Sequence, residues 1–166
     1  MKRKILAIAL SLALLSSLFV FAVPVNATPP QTVSGDWTGP RATITSMRMA
    51  DGNVFMTYTS THTLTGDIEG DMISDGWGAL HPNGEWNMRS TGTFTGSFNG
   101  ATAGTADYVL VLRGTAPMYS GRWILKNGTG DLAGLHAVIT VIKEGPFVPN
   151  GDSYGTYTGT YHLDPQ

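Results

Sequence analysis

The chain contains no cysteine, which rules out disulfides, thiolate nucleophiles, thiolate metal ligands and a lipid-modified N-terminal cysteine. Charge is scarce as well: 13% of residues are Asp, Glu, Lys or Arg, about half the share in an average globular domain. No basic stripe is present, so nucleic acid is not an expected partner. Helical patterning is missing beyond residue 27, because Gly or alternating Thr interrupts every run of apolar positions at three-and-four spacing. No Gly-x-Ser-x-Gly pentapeptide exists, which removes the nucleophile elbow of a serine hydrolase. The four histidines, His62, His81, His136 and His162, form no His-x-His or His-Glu-x-x-His pair, which speaks against zinc. The expectation is therefore no metal and no cofactor.

The N-terminus has the pattern of a targeting sequence. Lys2, Arg3 and Lys4 precede an apolar run from Ile5 to Val23, and Val25-Asn26-Ala27 supplies small or aliphatic residues at a cleavage site. The run approaches the ~20 residues that span a bilayer, so an uncleaved anchor is the alternative. Pro24 and the Val-x-Ala ending favour cleavage after Ala27. Residues 1–27 are thus predicted to be a signal peptide and residues 28–166 one exported domain, extracellular or in the cell envelope, with no stable membrane association afterwards. Without the leader, seven Lys and Arg face twelve Asp and Glu, a formal charge of −5.

What remains is rich in glycine and threonine, 21 of each in the whole chain, and threonine favours strands. From Val54 to Leu64 the sequence alternates: Val54, Met56, Tyr58, Ser60, His62 and Leu64 share one face, Phe55 and four threonines the other. Such alternation predicts a strand with one buried face and one wetted face. Asp51-Gly52-Asn53 links it to a strand over Arg41–Met49 as a β-hairpin. Further strands are predicted at Asp71–Leu80, Trp86–Phe98, Thr105–Arg113, Ser120–Lys126, Leu135–Ile142 and Tyr154–Leu163, with Lys143–Asp152 as the longest loop. The segments Thr93–Phe98 and Thr156–Tyr161 both place a glycine between aromatics, a pattern of curved sheet. About eight strands at hairpin spacing predict an all-β fold, a small antiparallel barrel, with a sandwich as the alternative.

Several segments also resemble a known family. Thr65-Gly66-Asp67-Ile68-Glu69-Gly70-Asp71, then Trp123, then Gly128-Thr129-Gly130-Asp131-Leu132-Ala133-Gly134-Leu135, and finally Tyr157-Thr158 through Tyr161 to Leu163 are similar, in order, to a bacterial family of unknown function. That family is grouped with the allene oxide cyclase-like barrels. The resemblance implies an eight-stranded barrel of that type and carries over no catalytic residue.

Candidate chemistry is thin. The Gly128–Gly134 run lacks the Lys-Ser/Thr of a phosphate loop and leads into a strand, so it reads as a structural joint at which Gly128, Gly130 and Gly134 relieve crowding or positive φ. Asp67, Glu69, Asp71 and Asp75 lack the spacing of a calcium loop. His62 stands out because it shares the apolar face with Met56 and Tyr58. Aromatics are the strongest remaining feature, and a barrel interior is either filled or holds one small ligand. Tyr58, His62, Trp123, Tyr157 and Tyr161 are the candidate ligand-binding residues, for a small apolar or aromatic molecule. The first functional reading is a non-enzymatic binder or interaction module. The second is a cofactor-free isomerase or cyclase with His62 or Glu69 as its polar group. A third would stack exposed tryptophan on sugar rings. A filled barrel would leave surface recognition.

Overall fold

The structure, a computed structural model, describes residues 28–40, 42–100, 103–144 and 152–165. The predicted signal peptide and most of the predicted Lys143–Asp152 loop lie outside the described residues. Nine strands follow one another: β1 (Gln31–Gly39), β2 (Thr43–Ala50), β3 (Asn53–Gly66), β4 (Ile68–Leu80), β5 (Glu85–Phe98), β6 (Gly104–Thr115), β7 (Met118–Lys126), β8 (Leu135–Glu144) and β9 (Ser153–Leu163). Among the described residues the helical content is a single 3₁₀ turn, Gly130–Leu132.

Strands β3 to β9 form an antiparallel meander, each paired to the next. Closure comes from β1, which lies beside β9 from Gln31↔Tyr161 to Gly39↔Ser153 and also pairs with the far end of β3 at Gly35↔Gly66 to Thr38↔Thr63. The other end of the same β3 edge takes β2, from Thr43↔Thr59 to Ala50↔Asn53. The result is a closed eight-stranded barrel with β2 as an extra strand. Closure leaves the eight strands without a free edge to recruit another chain.

The strand over Gln31–Gly39 was not expected from the sequence. Its inward positions are Val33, Gly35, Trp37 and Gly39, so glycine occupies every second inward site and the apolar alternation is blank there. Packing explains the blank: a Cβ on Gly35 would lie 2.1 Å from the Thr65 carbonyl oxygen and 2.5 Å from the Tyr157 hydroxyl. Elsewhere alternation and burial agree. In β3, Met56, Tyr58, Ser60 and Leu64 are buried while Thr57, Thr59, Thr61 and Thr63 are exposed.

The glycines between aromatics sit at close approaches. A Cβ on Gly96 would meet the Glu69 carbonyl at 2.1 Å, and one on Gly159 the Val138 carbonyl at 2.3 Å. The Gly128–Gly134 segment is the tight joint expected of it, with φ of 61° at Gly130 and 77° at Gly134. It seats Leu132 at zero exposure under the barrel, beside Phe94, Phe98 and Leu135. One end of the barrel is therefore filled, at about 1.5–3 kcal/mol for each large apolar side chain buried. A second apolar cluster, Met56, Tyr58, Trp86, Leu112 and Tyr119, lies toward the other end, and the buried serines Ser60, Ser74 and Ser90 sit between the two.

Candidate functional site

Above the filled end, the barrel interior contains a layer of hydroxyls. Tyr58 and Ser90 hydrogen-bond at 2.8 Å, and Ser60 and Ser74 at 2.9 Å, all of them buried. Tyr108 faces Ser74, and burial pushes its phenol up to about 12 despite that hydrogen bond. These groups tie β3, β4, β5 and β6 together and satisfy one another, as buried polar groups must.

Over this layer lies a cavity of about 50 Å³. Trp37, Met88, Leu110, Leu112, Trp123 and Val141 give it apolar walls, and Tyr58, Ser60, His62, Ser90, Lys143 and Ser153 are its polar lining residues. The two indoles and His62 form one aromatic corner. Trp37 meets the His62 ring edge-on at 5.1 Å between centroids and the Trp123 ring at 6.3 Å. The Trp37 Nε1–H donates to the Ile142 carbonyl at 3.3 Å. The Trp123 Nε1–H, on a side chain only 2% exposed, has no acceptor.

Lys143 also borders the cavity and is 5% exposed. The expectation that Lys143 opens a loop is corrected: β8 runs two residues further, to Glu144. The inward series Leu135, Ala137, Ile139, Val141 simply continues to residue 143, and the pleat turns the lysine into the barrel. Its ammonium lies 5.3 Å from the centre of the Tyr119 ring, a cation–π distance. Burial lowers the Lys143 pKa. Burial, and secondarily the Lys143 charge, brings His62 down to about 4. His62 is thus a neutral imidazole at physiological pH.

Of the five residues singled out from sequence, Tyr58, His62 and Trp123 meet at this cavity. Tyr157 and Tyr161 lie away from it, and their hydroxyls hold the barrel seam. The Tyr157 hydroxyl accepts the Ile68 N–H at 2.8 Å and faces the carbonyls of Thr65 and Ile68, both at 3.1 Å. It thereby pins β9 to the tight β3–β4 turn. The Tyr161 hydroxyl donates to Gln31 Oε1 at 2.9 Å and accepts from Asn99 Nδ2 at 3.2 Å. Glu69, the other candidate polar group, is exposed on the outer face of β4 and so cannot serve inside the barrel. Trp37 and Lys143 were missed as site residues. Continuing the period-two count through Lys143 would have found one of them; nothing local marks Trp37 as a neighbour of Trp123.

The exposed tryptophan is Trp77, on the outer face with Phe55, over whose ring the Arg48 guanidinium stands at 4.4 Å. Nearer the seam, the Asp67 carboxylate accepts the Ser34 backbone N–H at 2.8 Å, so this acid of the Gly66–Gly70 motif is a structural clasp between β1 and the β3–β4 turn.

No family model matches the chain, and no curated protein does. Among solved structures, it is similar to a protein of unknown function from the DUF3224 family of Shewanella oneidensis MR-1. That likeness has a TM-score of 0.65 at 15% identity and covers 82% of this chain and 99% of the other. At that identity it is a likeness of fold.

Proposed function

We propose that this protein is an exported barrel that binds part of a small apolar or aromatic molecule and does not transform it. The observation that carries this reading is the cavity itself: apolar walls from Trp37, Leu110, Leu112 and Val141 with a few convergent polar groups, the usual composition of a small-molecule site. Its size limits the claim. At about 50 Å³ it takes one end of a ligand, whereas drug-sized molecules occupy about 300–1,000 Å³.

Catalysis is the weaker reading. Among the described residues lining the cavity there is no Asp or Glu. A base with a pKa of about 4, as His62 has, is poorly matched to proton abstraction near neutral pH. The motifs similar to the allene oxide cyclase-like group support that grouping for the barrel, and the N-terminal pattern supports export after cleavage at Ala27.

Native mass spectrometry of protein purified from its own host tests the binding reading. A small-molecule adduct is expected, and it should disappear in Leu112→Trp, which fills the cavity. A bare polypeptide mass from both proteins would count against the reading. N-terminal sequencing of exported material should begin at Thr28, and an intact, membrane-extracted chain would overturn export.

A further inference from the structure

The outer wall of the barrel segregates its charge. Asp36, Glu69 and Asp71 are exposed around the filled end, whereas Arg48 and Arg89 stand exposed on the half of β2 to β5 away from it. Between the two arginines, in strand order, lies Trp77, which is 53% exposed. Trp77 is directly opposite Arg89 across the β4–β5 pair, and such side chains lie about 5 Å apart at Cβ. On its other side, Trp77 and Arg48 line one open groove of about 230 Å³ with Ser46, Phe55 and Thr57. No Asp or Glu lines that groove among the described residues. Asp75 shares the outer face of β4 but stands toward the filled end, opposite Thr59 and Thr91.

Both cations are open to a partner. Among the described residues neither Arg48 nor Arg89 forms an ion pair. Arg48 rests over the Phe55 ring, and a ring supplies no lone pair, so its N–H donors still await an oxygen acceptor. Two aromatic rings in a groove rimmed by cations have the composition of a recognition surface. The flat, electron-rich face of an indole suits the C–H face of a pyranose ring. Guanidinium groups beside it suit a carboxylate, which they bind in bidentate fashion.

We propose that this outer groove is a second binding site and takes a uronic-acid unit of an acidic polysaccharide. The sugar ring lies on Trp77, its carboxylate reaches Arg48 or Arg89, and its hydroxyls meet Ser46 and Thr57. Residues 28–166 carry a formal charge of −5, which disfavours a densely charged chain such as nucleic acid and leaves a locally cationic patch for well-spaced carboxylates. The groove is on the outside of the barrel, so this assignment stands apart from the reading of the cavity.

Trigalacturonate and its fully methyl-esterified form are the probes: the same rings, with and without the charge. Each is titrated into the ¹⁵N-labelled protein while the indole Nε1–H signals are followed, Trp77 being assigned from Trp77→Phe. Trigalacturonate should move the Trp77 signal saturably, and the ester should bind about tenfold or more weakly, the difference a charge-assisted hydrogen bond makes. The double variant Arg48→Gln/Arg89→Gln, with its fold checked by thermal melting, should bring the acid down to the ester's affinity. Trp77→Ala should abolish binding by calorimetry, and Leu112→Trp, which fills the cavity, should leave it unchanged. If acid and ester bind alike, or the arginine variant binds the acid as the wild type does, the acidic sugar is overturned. If polyphosphate moves the Trp77 signal as trigalacturonate does, the surface reads charge alone and the sugar assignment falls. Lost binding in Leu112→Trp would place the sugar in the cavity, and a Trp77 signal that neither sugar moves would remove the site.

Discussion

Removing one oxygen, in Tyr157→Phe, should cost the barrel more than its size suggests. Tyr157 is 2% exposed, and its hydroxyl is the acceptor for the backbone N–H of Ile68, itself 1% exposed. Phenylalanine keeps the ring and its apolar contacts but strands that N–H where water cannot replace the lost acceptor. An unsatisfied buried donor costs about 1–3 kcal/mol. Burial pushes the Tyr157 pKa up, so the hydroxyl also keeps its proton for the Thr65 or Ile68 carbonyl, a second bond lost in the variant. A total of about 2 kcal/mol should lower Tm by about 5–10 °C for a domain of this length. Tyr161→Phe is the control, because its hydroxyl meets the side chains of Gln31 and Asn99 in a partly open setting and should cost under about 1 kcal/mol. Urea titration and calorimetry of both variants read the difference. The small-molecule adduct read by native mass spectrometry should survive in Tyr157→Phe, since the residue lies outside the cavity. Equal stabilities for the two variants would refute the seam argument, and lost binding at unchanged stability would place Tyr157 in the site.

Three other outcomes are expected. His62 is held at about 4 by burial and by the Lys143 charge, against 6.5 for an unfolded histidine; the unfolded chain protonates first as pH falls, so its stabilisation is complete above about 6.5 and disappears toward 4. Urea midpoints at pH 7 and pH 4 should therefore fall further in the wild type than in His62→Gln, by up to about 3 kcal/mol, and parallel losses would show that His62 is not buried as a neutral ring. Gly128→Ala would put a Cβ 1.6 Å from the Leu132 carbonyl oxygen, so soluble yield should collapse; a stable, soluble variant would mean that the joint is loose. Trp123→Ala should lose about 3–5 kcal/mol by urea unfolding, whereas Trp123→Phe should keep most of the stability.

Much of this fold was legible residue by residue. Threonine at 57, 59, 61 and 63 against Met56, Tyr58 and Leu64 leaves a strand only one way to face, and the structure places both sets accordingly. Asp51-Gly52 occupies the hairpin turn with φ of 50° and 76°. Where the pattern was blank, the reason is local: Gly35 and Gly39 leave no side chain to count in β1, because the Tyr157 ring and the His62 ring fill the space beside them. Lys143 was lost because a charged residue at a strand end reads as solvated surface, and only its register beside Gly155 in β9 turns it inward.

Composition and alternation by themselves determined an all-β, helix-poor chain, the inward and outward faces of most strands, and the tight joint after Trp123, since each depends on neighbours one or two residues away. Only the tertiary structure decided closure, because β1 must reach across the chain to β9 and β3, and pairing at that distance leaves no periodic trace. The site was decided there as well. Trp37 and His62, from β1 and β3, lie far in sequence from Trp123 and Lys143, from β7 and β8, and the closed barrel makes them neighbours around one cavity. So too with Tyr157, whose sequence context matches that of a wall residue; the turn between β3 and β4 claims its hydroxyl and makes it part of the seam.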